Sequence, residues 1–153
     1  MSGQAEDPAA EPAREGPFWD VLEGRAPPPP AAVLLGFELV SIDPQAGTIE
    51  VAFTATEQFL NPAGTVQGGL LAAMLDDTLG PALVATLSHG EWAPTTDLHV
   101  QFLSPARPGR IVGSARVVRR GGQVAFMAGE LRDEDGNVLA TATATAAIRR
   151  RSA

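Results

Sequence analysis

Two adjacent carboxylates, Asp76 and Asp77, stand inside an otherwise apolar run at 68–87. A buried carboxylate is costly unless it is paired or used, so this pair is the first place to look for chemistry. Beside a substrate, such a group can act as a general base toward water or as a nucleophile. A structural role, capping an interface or bonding neighbouring polar groups, fits the composition equally well. The start of the run adds a second element, since Gln67, Gly68 and Gly69 open it. The first N–H groups of a helix have no intrahelical acceptor. With the helix dipole they favour partial negative charge, and glycines let a ligand come close to the backbone. A terminus of this kind suits the oxygen of a polarised carbonyl. Alone, a Gly-Gly pair marks only a loop-to-helix turn.

Spacing constrains how these elements could cooperate. Gly69 and Asp76 are seven residues apart, about 10 Å along a helix axis. One carbonyl cannot contact both on the same helix. If they act together, the glycines of one chain meet the aspartate of another across a two-fold axis, and the site lies at a dimer interface.

The elements that must position these residues are legible in outline. The helix is expected over 68–88, apolar on nearly every face as in a helix surrounded by protein, with Gly80-Pro81 kinking it or ending its regular part. Its length approaches a bilayer span, but Asp76, Asp77 and Pro81 near its middle make lipid a costly environment, and no membrane association is expected. Residues 1–16 are polar, acidic and rich in Ala and Pro, which reads as a disordered tail without the features of a secretory signal. Residues 17–36 form an N-terminal segment: a short helix around 18–22, a stiff spacer at Pro27 to Pro30, and a helical turn ended by Gly36. The domain itself is expected over 37–150.

Strands are expected at 37–42 and 48–54 before the helix, then at 95–103, 111–119, 123–132 and 138–148 after it. In the first strand after the helix, Leu98, Val100 and Phe102 share one face, while Asp97, His99 and Gln101 share the other. The last strand alternates Ala and Thr, and its small Ala face would let a helix come close. A parallel sheet would need several crossover helices, and only one long helix is present. The pattern therefore predicts an α+β fold in which an antiparallel sheet wraps one central helix.

Composition narrows the function. The formal net charge of −7 and pI near 4.7 disfavour nucleic acid as a partner. The absence of cysteine removes a disulfide framework, a thiol nucleophile and a Cys-type zinc site, and is compatible with the cytoplasmic location expected here. There is no metal-ligand cluster, no phosphate-binding glycine loop with Lys, and no Ser-centred nucleophile elbow. No metal or cofactor is expected.

The run Asn61-Pro62-Ala63-Gly64-Thr65-Val66-Gln67-Gly68-Gly69, followed by Leu75-Asp76-Asp77, closely resembles the PaaI-like (phenylacetate-pathway) hotdog thioesterases. That family shows Asn, then Gly, then His-Gly-Gly, with an acidic residue nine positions after the His. Thr95-Thr96-Asp97 and the stretch Phe102 to Gly109 look like its strand after the helix, so the resemblance covers about 36–149. It implies a hotdog fold and hydrolysis of an acyl-CoA to free acid and coenzyme A. By the same resemblance Gly68 supplies the oxyanion N–H, and Asp76 of the partner chain is the general base or nucleophile. Asn61 then holds water or thioester, Thr95 positions water, and Gly69 adjoins the substrate. A homodimer at minimum, and commonly a homotetramer, follows from it too.

Gln67 departs from the pattern, standing where the family has His. Glutamine can hydrogen-bond but cannot act as a base, which argues against the His-dependent hotdog dehydratases. His89, at the helix end, and His99, mid-strand, do not replace it. Arg119 and Arg120, beside the Gly121-Gly122 turn, are the preferred candidates for the phosphates of coenzyme A, against a background of ordinary surface charge. The runner-up reading is a hotdog protein that binds acyl-CoA without turnover.

Overall fold

The computed structural model describes residues 12–151; residues 1–11 of the expected tail lie outside that range. Its elements run α1 (Pro17–Leu22), α2 (Pro30–Leu35), β1 (Glu38–Asp43), β2 (Thr48–Ala55), a single 3-10 turn at Glu57–Phe59, and α3 (Gly68–Val84). There follow β3 (Glu91–Trp92), β4 (Thr95–Phe102), β5 (Gly109–Arg120), β6 (Val124–Arg132), β7 (Val138–Ala147) and β8 (Arg149–Arg150). Six strands form one antiparallel sheet in the order β1-β2-β5-β6-β7-β4, and β3 pairs with β8 beside it. This is the hotdog arrangement, α+β, with α3 as the central helix.

The helix ends at Val84 rather than near 88. Pro81 lies within its last turn, and the chain then tightens, with Thr86 N–H donating to Leu83 O and Leu87 N–H to Val84 O. Leu71, Met74, Leu75, Leu79, Ala82 and Leu83 bury one face of α3, packed chiefly on β5 and β6. The alanines of β7 join the same core. Close approach is set on the neighbouring strands, because a Cβ on Gly113 would lie 2.5 Å from Thr78 Oγ1 and one on Gly129 would lie 3.2 Å from Leu79 Cδ2. Thr78 is fully buried, and its hydroxyl is satisfied by donating to Met74 O at 2.7 Å, the back-bond available to Thr within a helix.

The opposite face of α3 is only partly covered. The N-terminal segment lies over part of it. α1 docks through Trp19, buried beside Phe18 in an edge-on pair and beneath the Arg14 guanidinium. Gly36, with φ of 67°, ends α2 in the left-handed conformation glycine tolerates. Residues 12–16 run along the C-terminal end of the helix: Ala13 N–H donates to Leu87 O, and Glu15 accepts from Gly90 N–H. No helix among the described residues is long and apolar enough to cross a membrane.

Candidate active site

The N-terminus of α3 is held by the loop before it. Asn61 Oδ1 accepts from Ala63 N–H and Thr65 N–H, its Nδ2 donates to Thr65 Oγ1, and its backbone N–H donates to Thr65 O. Val66 N–H donates to Ala106 O, and Gln67 N–H to Phe59 O. The loop is thus pinned on both sides and delivers Gln67 as the N-cap, without a side-chain cap bond. Gly68 and Gly69 donate to no backbone acceptor among the described residues, as the first two positions of a helix should not. The Phe102 ring lies against Gly68, where a Cβ would come within 3.1 Å of it, whereas the space over Gly69 is open. A cavity of about 370 Å³ joins Asn61, Gly68, Phe102 and Ser104.

Asp76 lies farther along α3 and is exposed on the protomer. The expectation that the helix buries this carboxylate does not hold within one chain, because residue 76 faces the rim of the sheet at β4. There Thr95 Oγ1 donates to Asp76 Oδ1 at 3.0 Å. Strict alternation would turn Thr95 to the outer face with Asp97, His99 and Gln101. A bulge between Thr95 and Asp97 shifts the register, which re-aims the side chain, a common use of bulges beside functional sites. Thr96 is left on the outer side, bonded to the Thr145 carbonyl and hydroxyl.

Asp77 is turned about 100° away around the helix. It is half-buried, and its Oδ2 is enclosed with no hydrogen-bond partner among the described residues. Burial, and secondarily the charge of Asp76, raise its pKa above the ordinary carboxylate value. The two carboxylates therefore occupy different environments although they are neighbours in sequence.

Of the basic candidates, Arg120 pairs with Glu91, which is enclosed and also takes Arg150. Arg119 is exposed and makes no ion pair among the described residues. Both sit at the end of the sheet that carries Thr95: Arg120 pairs with Ala125, Val124 with Ala147, and Thr95 with Ala146. His89 bonds Glu15 at 2.6 Å, and His99 lines a cleft on the outer sheet face. Neither adjoins Asp76. The bulge and the orphan oxygen of Asp77 had no signal in the sequence. The Glu91 clamp could have been suspected only from a lone acidic residue set between apolar and turn residues.

One exposed carboxylate held by a threonine therefore lies on the central helix of a hotdog fold, two turns beyond its glycine N-terminus. The chain belongs to the thioesterase superfamily, whose sequence profile matches residues 63–140, and it is a thioester hydrolase. It is similar to human acyl-coenzyme A thioesterase 13, at 33% identity over 100 residues, 65% of this chain and 69% of that protein. It is also similar to a phenylacetic acid degradation-related protein of Ralstonia eutropha JMP134, whose crystal structure superposes with a TM-score of 0.81 at 45% identity, covering 85% of this chain and 98% of that one. The PaaI protein of the E. coli phenylacetic acid degradation operon shares the fold, with a TM-score of 0.75 at 23% identity over 88% of this chain and 93% of that one. These likenesses place the chain among the PaaI-like thioesterases.

Proposed function

We propose that the protein hydrolyses an acyl-coenzyme A to the free acid and coenzyme A, as a symmetric dimer joined along β4. The observation that carries this reading is the placement of both site elements at opposite ends of one edge strand. Thr95, at the start of β4, holds Asp76; Phe102, at its end, packs on Gly68. β4 is an edge of the sheet, paired only with β7 among the described residues. An unpaired edge invites a second strand. Two copies of β4 run antiparallel about a two-fold axis near the strand centre bring Thr95 and Asp76 of one protomer beside Phe102 and Gly68 of the other. Within one chain Gly68 and Asp76 are about 12 Å apart along the helix, so the dimer is what completes the site. Phe102 and Leu103, 55% and 57% exposed on the protomer, are then covered.

The chemistry follows from these positions. The thioester oxygen accepts from Gly68 N–H, with the Gly69 backbone open beside it. Asp76, aligned by Thr95, either takes a proton from the attacking water or attacks the carbonyl itself, with water then hydrolysing the anhydride. The C–S bond breaks and the thiolate leaves, to be protonated to free coenzyme A. Asn61 shapes the loop and faces the shared cavity. Gln67 holds the loop through its backbone and has no base to offer. Arg119 lies three strands from β4, about 14 Å across the sheet, a distance suited to a phosphate at the far end of the pantetheine arm. The exposed Val118 and Phe126 on the outer sheet face suit a second pairing of dimers into a tetramer.

The test is thiol release by the purified protein across a panel of acyl-CoAs, with Asp76→Asn alongside. Release that depends on Asp76 is the expected result. A folded protein that binds acyl-CoA and releases no thiol would replace hydrolysis with binding alone.

A further inference from the structure

β4, the edge along which the proposed dimer joins, carries two ionisable side chains that the hydrolytic site does not use, Asp97 and His99. Leu103 N–H donates to Leu139 O, and the register continues with Gln101 opposite Thr141, His99 opposite Thr143 and Asp97 opposite Thr145. In an antiparallel ladder the backbone groups of alternate residues point to opposite sides. Those of Asp97, His99 and Gln101 therefore face β7, and the N–H and C=O of Leu98, Val100 and Phe102 reach the open edge. Leu98 and Val100 pack toward the core, while Asp97 and His99 stand exposed on the outer face. The protomer's ion pairs among the described residues include neither of them.

We propose that a second copy of the chain docks on this edge in one register, with Asp97 of each protomer opposite the partner's His99 and Leu98 facing its own copy at the two-fold axis. The inference rests on the β4 dimer proposed above and names the residues that align its two copies. Residues directly opposite across an antiparallel pair lie on the same face, so the allowed registers differ by two residues in their pairing. The midpoint of β4 falls between Leu98 and His99, and the longest overlaps put one of these on the axis. With His99 there, imidazole opposes imidazole and Asp97 meets the partner's Gln101. With Leu98 there, two Asp97–His99 pairs form, one on each side of the axis. Opposite charges directly across a strand pair stabilise it, and like charges destabilise it. Because the edge-facing backbone groups belong to Leu98 and Val100, Asp97 and His99 take the non-hydrogen-bonded positions, where Cα atoms are about 4.5 Å apart and side chains are closest. An acid and a base two residues apart thus make the strand complementary to itself. The same register sets Thr95 beside the partner's Gln101 and Phe102, which keeps the two halves of the hydrolytic site together.

The chain has no cysteine, so introduced thiols read the register directly. Asp97→Cys and His99→Cys chains, co-expressed and oxidised, should give a cross-linked dimer on denaturing gels, since their Cα atoms lie within disulfide reach. Either variant alone should stay uncross-linked, because like positions are then roughly 8 Å apart. A co-expressed pair that does not cross-link, or His99→Cys that cross-links with itself, overturns the inference. Sedimentation across a dilution series tests the charges. Asp97→Arg opposes the partner's His99 and His99→Glu opposes the partner's Asp97, so each alone, folded by circular dichroism, should dimerise about tenfold more weakly than wild type. Co-expressed, the two should regain wild-type association, together with thiol release at dilutions where either alone has lost it. Variants that dimerise as wild type does, or a co-expressed pair no better than its components, overturn the inference while leaving the β4 dimer and hydrolysis standing. Wild type that is monomeric while releasing thiol overturns the dimer as well.

Discussion

Asp76 and Asp77 share a peptide bond and almost nothing else. Asp76 is exposed on the protomer and held by one neutral hydroxyl from β4. Asp77 faces a largely apolar chamber with one oxygen enclosed and unpartnered. One turns toward the β4 edge of the sheet; the other turns beneath the N-terminal segment of its own chain. The difference teaches that a carboxylate in an apolar run is not one kind of signal. The rotation of about 100° per helical residue separates an accessible group beside β4 from one that lines the space under the N-terminal segment.

The sharpest way to break this comparison is to remove each carboxylate in turn. Asp76→Asn should lower kcat by about 10²- to 10⁴-fold with the fold unchanged by circular dichroism. Near-normal turnover would end the assignment. Thr95→Val removes the hydroxyl that aligns Asp76, and should cost about tenfold in kcat with KM little altered, as expected when an aligning bond matters most in the transition state. An equal loss in thermal stability and rate would instead make Thr95 structural.

Asp77→Asn tests the other side through stability. The native state raises the pKa of Asp77 above its ordinary value, chiefly by burial, so the folded protein holds this proton more tightly than the unfolded chain. That advantage is fully present below the unfolded pKa and is lost as pH rises through the folded one. Above that range wild type carries a partly buried charge that the variant lacks. Asp77→Asn should therefore be the more stable of the two at neutral pH, by on the order of 1 kcal/mol after allowance for partial exposure. The gap in Tm should shrink as pH falls from about 8 to about 4. A gap independent of pH would show that Asp77 does not titrate differently on folding. Gln67→His carries the smallest expected effect, within about threefold in kcat/KM, because the residue acts through its backbone N–H and O at the N-cap. A collapse of activity would mean that the amide side chain holds a bond histidine cannot reproduce.

Much of the fold was written locally. Hydrophobic alternation located the six main strands and the long helix to within a few residues, because period two and continuous apolarity are properties of the chain itself. Gly36 announced the end of α2 and the 61–65 loop carried its own turn chemistry, through Asn61. The pairing of β3 with β8 was not foreseen, since two-residue strands have no periodicity to detect. The helix end was misplaced by four residues, because apolar composition continues through Leu87 while the backbone has already tightened beyond Pro81.

The site divides in the same way. The types and spacing of Gly68, Gly69 and Asp76 were legible in the sequence, as was the condition that, if they act together, they do so across two chains, which follows from the rise of a helix. Which carboxylate is accessible, which is enclosed, and which face Thr95 presents were decided only by tertiary structure. The bulge at Thr95–Asp97 depends on how β4 and β7 align. The enclosure of Asp77 depends on a segment some fifty residues earlier folding back over α3. Contacts distant along the chain leave no local pattern, because neither partner's sequence is altered by the meeting.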